Sequence, residues 1–291
     1  MYNIIINPVA AKSKSLKALK RTEDYLTKKC IPYRVRYSEY AGHSGVIAGE
    51  LEASGETEII ILGGDGTIYD VVNGVKHPEN INFGIIPCGT GNDYASALHL
   101  PSAPEENLDI ILKGNIIKRD IIEIAGYRSV NVAGSGLDVE VLEGAKKMKL
   151  ITGKLKYVFS LIKLLFRFDY YKFRIETEDS DEEGEYMLVS VCNGTRIGGG
   201  IYVSPHSKTD DGKLELVTVG KMKKSKIPFL FLSFIRGKHD KIKELKIRSC
   251  SHIKITSDKP ININTDGEIH YGLNEVNCGI KRGVFNLYGE N

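Results

Sequence analysis

Residues Glu58 to Asp70, EIIILGGDGTIYD, place three glycines, an aspartate and a threonine where an apolar run gives way to helical spacing. Ile59 to Leu62 suit a strand covered on both faces, and Ile68, Val71, Val72 and Val75 recur with the period of a helix. Gly63, Gly64 and Gly66 therefore fall between a strand's carboxyl end and a helix N-terminus, where free N–H groups and the helix dipole favour a phosphate. Asp65 supplies the carboxylate that a magnesium-bearing nucleotide needs nearby, with Thr67 behind it. A plain glycine-rich turn needs one or two glycines but not this Asp-Gly-Thr, so the phosphate reading leads.

A second apolar run, Ile81 to Ile86, ends in Pro87-Cys88-Gly89-Thr90-Gly91-Asn92-Asp93 ahead of a helical pattern through Tyr94, Ala97 and Leu98. The opening strand, Tyr2 to Asn7, ends in Asn7-Pro8 and then Val9, Ala10, Ala11 and Lys12. Loops of this kind at strand ends define a crevice. The chain has no GxxxxGK[ST] loop, and Gly89-Thr90-Gly91 lacks the third glycine of a dinucleotide fingerprint, so neither common nucleotide motif is used.

The elements that must hold these loops change character near residue 120. Before it, strands (2–7, 33–37 and the two apolar runs) alternate with helices (15–29, 44–54 and 105–113), which predicts a doubly wound parallel sheet with helices on both faces. After it, strand-like runs dominate at 117–124, 128–134, 171–178, 185–193, 213–219, 252–256, 261–265, 268–271 and 276–279, which predicts an antiparallel β-sandwich. The acidic run 178–183 reads as a solvated hairpin loop.

GGDGT at 63–67, PCGTGND at 87–93 and TDGE at 265–268 resemble the diacylglycerol kinase catalytic family, which includes bacterial soluble lipid kinases and the sphingosine and ceramide kinases. Asn7-Pro8, Gly42-His43, Asn193-Gly194 with Gly198 to Gly200, and Asp210-Asp211-Gly212 follow in the family's order, so the resemblance covers nearly the whole chain. It implies an α/β nucleotide-binding domain over 1–122, joined by a returning segment at 283–291, and a β-sandwich lipid-substrate domain over 123–282. It implies ATP and Mg2+ as cofactors, with the nucleotide held by Asn7, Pro8, Ser38, Gly63, Gly64, Asp65, Gly66, Thr67, Gly89, Thr90 and Asn92. The chain departs from the family pattern at Ala11 and Lys12, where a glycine is usual, and at Tyr69-Asp70, where Asn-Glu is usual; nucleotide preference could shift accordingly.

Phosphoryl transfer to a hydroxyl needs positioning, charge neutralisation and a carboxylate to accept the alcohol proton. The resemblance places that base at Asp266 or Glu268, and the sequence does not choose between them. Alternation in an extended segment would put both on one side with Gly267 opposite, whereas Asp266-Gly267 is equally the signature of a type I′ hairpin turn. The resemblance also implies a structural magnesium at Asp211 with the carbonyls of Lys208 and Lys213, connected to the active site through Asp93 and Asp120. Asp93 could instead cap the helix that follows it. Asp138 matches an acceptor-binding position of the sphingosine kinases, with an ordinary turn as the alternative.

A net charge of +3 over 291 residues gives no reason to expect nucleic acid as a partner. Five dispersed cysteines without a CxxC read as small core residues of a reducing compartment. The chain opens on a strand without a leader pattern, so a cytoplasmic location is expected. Two apolar stretches, Leu155 to Phe168 and Ile227 to Ile235, are too short to span a bilayer but are preceded by lysines (146, 147, 149, 154 and 156; 221, 223, 224 and 226), which predicts peripheral membrane contact. The first could equally be a core helix. The acceptor is then a lipid alcohol at the membrane surface, and a homodimer is left open. An NAD kinase would share GGDGT but lack the late Asp-Gly-Glu, and a silent lipid- or nucleotide-binding regulator would have lost the acidic residues that remain here.

Overall fold

The computed structural model describes residues 1–8, 13–147, 169–239 and 241–290. They form two units, Met1–Ile121 with Arg282–Asn291, and Ile122–Lys281.

In the first unit, β1 (Tyr2–Ile6), β2 (Tyr33–Tyr37), β3 (Glu58–Gly63) and β4 (Asn82–Pro87) pair in parallel in the order β2-β1-β3-β4. The strands form because their isoleucines are wanted on both faces. Ile4, Ile6, Ile60, Leu62 and Ile86 pack with Leu19, Leu26, Leu108 and Ile111, which belong to α1 (Ser13–Lys28) and α5 (Pro104–Lys113). Ile5, Ile59, Ile61 and Ile85 alternate with them and are equally buried. α2 (His43–Ala53) and α3 (Asp65–Gly74) pack on each other and on β1 and β3. Gly45 and Gly74 make the α2–α3 crossing close: a methyl built on Gly74 would stand 2.1 Å from the Gly45 carbonyl oxygen. The C-terminal segment returns to this sheet, Leu287 pairing parallel with Phe83 and Phe285 packing on Phe83 and Tyr94.

The second unit is antiparallel. β9 (Asp181–Cys192) and β14 (His252–Thr265) each pair with both β7 (Val132–Gly136) and β8 (Tyr171–Thr177), so the sheet closes around a core of Phe173, Ile175, Val189, Val191, Ile253, Ile255 and Ile263. β12 (Leu214–Gly220) and β13 (Leu245–Cys250) extend it beyond β9. A second core lies outside the ring, where Val217, Val219 and Leu245 meet Ile227, Leu230 and Phe234 of α7 (Ile227–Arg236). The runs expected at 252–256 and 261–265 are one irregular strand, and those at 268–271 and 276–279 belong to β15 (Glu268–Tyr288).

Several expectations are corrected. The run 178–183 is a hairpin connection only over Glu178 to Ser180, between β8 and β9: β9 already starts at Asp181, which pairs with Arg174 at 2.5 Å, Glu182 bonds Arg248 at 3.0 Å, and Glu178 accepts the Ser251 N–H at 2.6 Å. β13 is not legible in the sequence because Lys246 and Arg248 on one face and Ser249 on the other interrupt its apolar pattern. Four cysteines are buried, but Cys30 is exposed at a left-handed turn (φ 55°) and is no core residue. The stretch Leu155 to Phe168 lies outside the described residues.

Candidate active site

All four parallel strands of the first unit point their carboxyl ends the same way, so Asn7, Ser38, the loop after β3 and the loop after β4 share one edge of the sheet. The chain leaves β1 toward β2 on one side and reaches β3 and β4 on the other. That reversal falls between β1 and β3, the position at which open α/β sheets bind ligands. The Ser38 N–H donates to the Ile6 carbonyl at 2.9 Å, which continues the strand pairing to the site edge, and the Ser15 hydroxyl holds the Pro8 carbonyl at 3.1 Å. Residues 9–12, the third expected wall, lie outside the described residues.

The two glycine loops are in backbone contact. A methyl on Gly64 would stand 2.9 Å from the Gly89 Cα, and one on Gly89 2.6 Å from the Gly64 Cα. Asn92 holds the second loop in shape. In the left-handed region (φ 52°), it accepts the Gly89 N–H at 2.9 Å and donates its amide to the Gly89 carbonyl at 3.2 Å, leaving Thr90 exposed at the tip. Asp65 opens α3 and accepts the Tyr94 N–H at 3.1 Å, so this one carboxylate ties the first loop to α4 (Asp93–Ala97). The helix begins at Asp93 itself, and Asn92, which holds the N-cap position, makes no side-chain cap bond. Thr67 is buried against Gly63, whereas a methyl on Gly66 would meet nothing within 4 Å. The α3 N-terminus, with its open Gly66, thus leaves its first N–H groups where an anion can approach. Burial pushes the Cys88 thiol up to about 11, so it stays neutral within this loop.

In the second unit Asp266 and Gly267 adopt left-handed conformations (φ 50° and 101°) between the paired residues Thr265 and Glu268. They are therefore the two central residues of a type I′ turn, and the extended alternation expected for Asp266 and Glu268 does not occur. The turn is nevertheless more than a turn. The Asp266 carboxylate points inward and accepts four hydrogen bonds, from the Ser129 hydroxyl at 2.7 Å and the N–H groups of Val130, Asn131 and Val132 at 2.8 to 3.1 Å. Burial raises its pKa to about 6 against the lowering effect of these bonds. Glu268 is exposed at the start of β15.

Asp138 lies in the first turn of α6 (Leu137–Lys147), a helix in place of the expected turn. It is buried, and that burial pushes its pKa up to about 6. Asn264 joins it to the Asp-Gly turn, donating to Asp138 at 3.4 Å and accepting the Gly267 N–H at 2.8 Å. Sequence reasoning missed Asn264 and Ser129; in ININ at 261–264 the asparagines alternate with the isoleucines as solvent-facing residues do, so nothing in the pattern marked Asn264 as buried.

Asp211 is exposed and accepts the Lys213 N–H at 3.0 Å across Gly212, with Lys208 and Lys213 exposed beside it. Among the described residues no three His, Cys, Asp or Glu side chains converge on a metal position. A single carboxylate with backbone carbonyls does fit magnesium, which keeps several waters. The negative charge of Asp211 also helps, after burial, to raise the pKa of Glu215, a repulsion that a cation would relieve. Asp120 and Asp93 belong to the first unit, Asp211 to the second. Asp120 is buried in β5 (Ile116–Ile124) and accepts the Gly283 N–H at 2.7 Å, which fastens the returning segment.

Residues 1–124 match the family model "Diacylglycerol kinase catalytic domain", and residues 109–278 match "YegS C-terminal NAD kinase beta sandwich-like domain". The chain belongs to the diacylglycerol kinase family. A protein of Staphylococcus epidermidis named diacylglycerol kinase is 30% identical over 91% of this chain and 84% of its own length. A protein of Xanthomonas euvesicatoria named "Probable lipid kinase YegS-like" is 30% identical over 92% and 89%. A solved diacylglycerol kinase from Bacillus anthracis superposes with a TM-score of 0.75 over 99% of this chain and 96% of that one at 21% identity, a likeness of fold. In this lipid kinase family the first unit corresponds to the catalytic-domain model and the second to the sandwich model.

Proposed function

We propose that this lipid kinase transfers the γ-phosphate of ATP, with magnesium, to the hydroxyl of a membrane lipid such as diacylglycerol. The observation that carries the reading is the backbone contact of Gly64 with Gly89 at the start of α3, with Asp65 joining both loops. In a doubly wound nucleotide-binding unit these loops cradle the phosphates, with Asn7, Pro8, Ser38, Thr67, Thr90 and Asn92 completing the edge. Magnesium would neutralise charge on the transferring phosphoryl group; Asp65 would serve the metal–nucleotide complex, and Asp211 with the Lys208 and Lys213 carbonyls would hold a structural ion.

On the acceptor side we assign the base to Glu268. The four donors around Asp266 occupy its oxygens, which suits a positioning residue that fixes the turn, whereas Glu268 is exposed to an incoming hydroxyl. Asp138 and Asn264 then orient the acceptor, and the enzyme meets it by peripheral contact with the membrane. The test is phosphate transfer from labelled ATP across a panel of lipid alcohols with NAD as the soluble alternative. Labelling of NAD alone would replace this reading with an NAD kinase-like one, and labelling of nothing would favour a regulator.

A further inference from the structure

α7 has two apolar faces, and only one serves the fold. Ile227, Leu230 and Phe234 are buried in the second core. Phe229, Leu232 and Ile235, at helical spacing on the other side, are 74%, 42% and 43% exposed. Folding alone does not require three large apolar side chains in water. The chain around this face is basic: Lys221, Lys223, Lys224 and Lys226 precede it, and Arg236, Lys238, Lys241 and Lys243 follow, with Asp240 the one acidic residue from 221 to 243. Lys221 and Lys226 are engaged by Glu185 and Glu244 at 2.6 and 2.7 Å. Lys223, Arg236, Lys238, Lys241 and Lys243 are exposed.

We propose that this face of α7 is a membrane-docking surface that seats in the headgroup–acyl boundary of an anionic bilayer. The proposal deepens the reading of a lipid acceptor given above and rests on it. A ten-residue helix is about 15 Å long. That is too short to cross a bilayer of about 30 Å but sufficient to lie in its surface. The cationic rim fixes the choice of occupant: a second copy would bring like charge against like, whereas anionic headgroups complement it and each basic residue adds attraction at the surface.

The chain contains no tryptophan, so Phe229→Trp supplies a single reporter at the centre of the face. With vesicles of phosphatidylcholine and phosphatidylglycerol its emission shifts to the blue, more strongly as the anionic fraction rises and less as salt is added. The variants F229S/L232S/I235S and K223Q/K238Q/K241Q keep the wild-type melting temperature and the turnover of a short-chain, monomeric diacylglycerol. Each lowers vesicle binding, and turnover of vesicle-embedded diacylglycerol, by about tenfold or more. An emission unmoved by vesicles, or variants that turn over vesicle-embedded lipid at the wild-type rate, overturns the docking surface and leaves the kinase reading intact. Variants that dissolve an oligomer while vesicle binding stays constant overturn it in favour of a second copy. Vesicle binding that depends on the patch, with no lipid phosphorylated, supports the docking surface and overturns the kinase reading instead.

Discussion

The backbones of Gly64 and Gly89 touch: a methyl on either would lie within 3 Å of the other's Cα. Both neighbours are main chain, so neither can yield cheaply. Gly64→Ala and Gly89→Ala are each expected to destabilise the enzyme by about 1–3 kcal/mol through overpacking and to raise the KM for ATP. Gly66→Ala is the control, since a methyl there meets nothing within 4 Å. It should leave the melting temperature within a degree or two and still raise the KM for ATP, because the space it fills is the space assigned to phosphate. Thermal melts of the three variants alongside ATP kinetics check this pattern.

Asp65 has two roles that different substitutions separate. Asp65→Asn retains an oxygen for the Tyr94 N–H and removes the charge. Stability should change little, while kcat/KM falls at least a hundredfold, about 2.7 kcal/mol of transition-state stabilisation. Asp65→Ala loses the hydrogen bond as well and should cost about 1 kcal/mol of stability in addition. Denaturant titration with kinetics on the same samples distinguishes the two.

The acceptor-side carboxylates should part in the opposite manner. Asp266→Asn turns an amide NH2 toward a site that offers four hydrogen-bond donors, so about 1–3 kcal/mol of stability is lost with activity following it. Glu268→Gln, at an exposed position, should leave the melting temperature unchanged and lower kcat by about two to four orders of magnitude with ATP binding preserved. A Glu268→Gln enzyme of normal kcat would remove Glu268 as the base.

Much of the first unit was legible because its signals are local: isoleucine runs mark β1, β3 and β4, and glycines mark the ends. The second unit was read less well for physical reasons that can be named. β13 carries its cations outward, α6 begins with a buried aspartate where an exposed one is usual, and β14 and β15 contain irregularities that split each into two apparent strands. Asp-Gly at 266–267 was correctly ambiguous, since it is a type I′ turn whose aspartate also gathers four donors. Ser129 comes from a segment distant in sequence, and Asn264, although only two residues before Asp266, is turned onto Asp138 and the Gly267 N–H by the fold, so neither role could be read beforehand.

Burial of Asp138 raises its pKa to about 6 from an ordinary value of 3.8. The folded protein therefore holds a proton that the unfolded chain has released between those values. Its stabilising share is complete below about pH 4 and is lost as the pH rises through 6, by up to about 3 kcal/mol. Asp138→Asn should flatten the slope of stability between pH 4 and 6, measured by denaturant unfolding at closely spaced pH values. A slope unchanged by the substitution would assign it to other groups, Asp266 among them.

The central claim is that the loops around Asp65 deliver the γ-phosphate of ATP to a lipid hydroxyl. Its most direct test is the incorporation of label from γ-labelled ATP into diacylglycerol in mixed micelles, with and without magnesium, for the wild-type enzyme and Asp65→Asn. We expect labelled phosphatidic acid that requires magnesium and disappears with Asp65→Asn. Equal labelling by the two proteins, or labelled product from no lipid alcohol in the panel, would contradict the account.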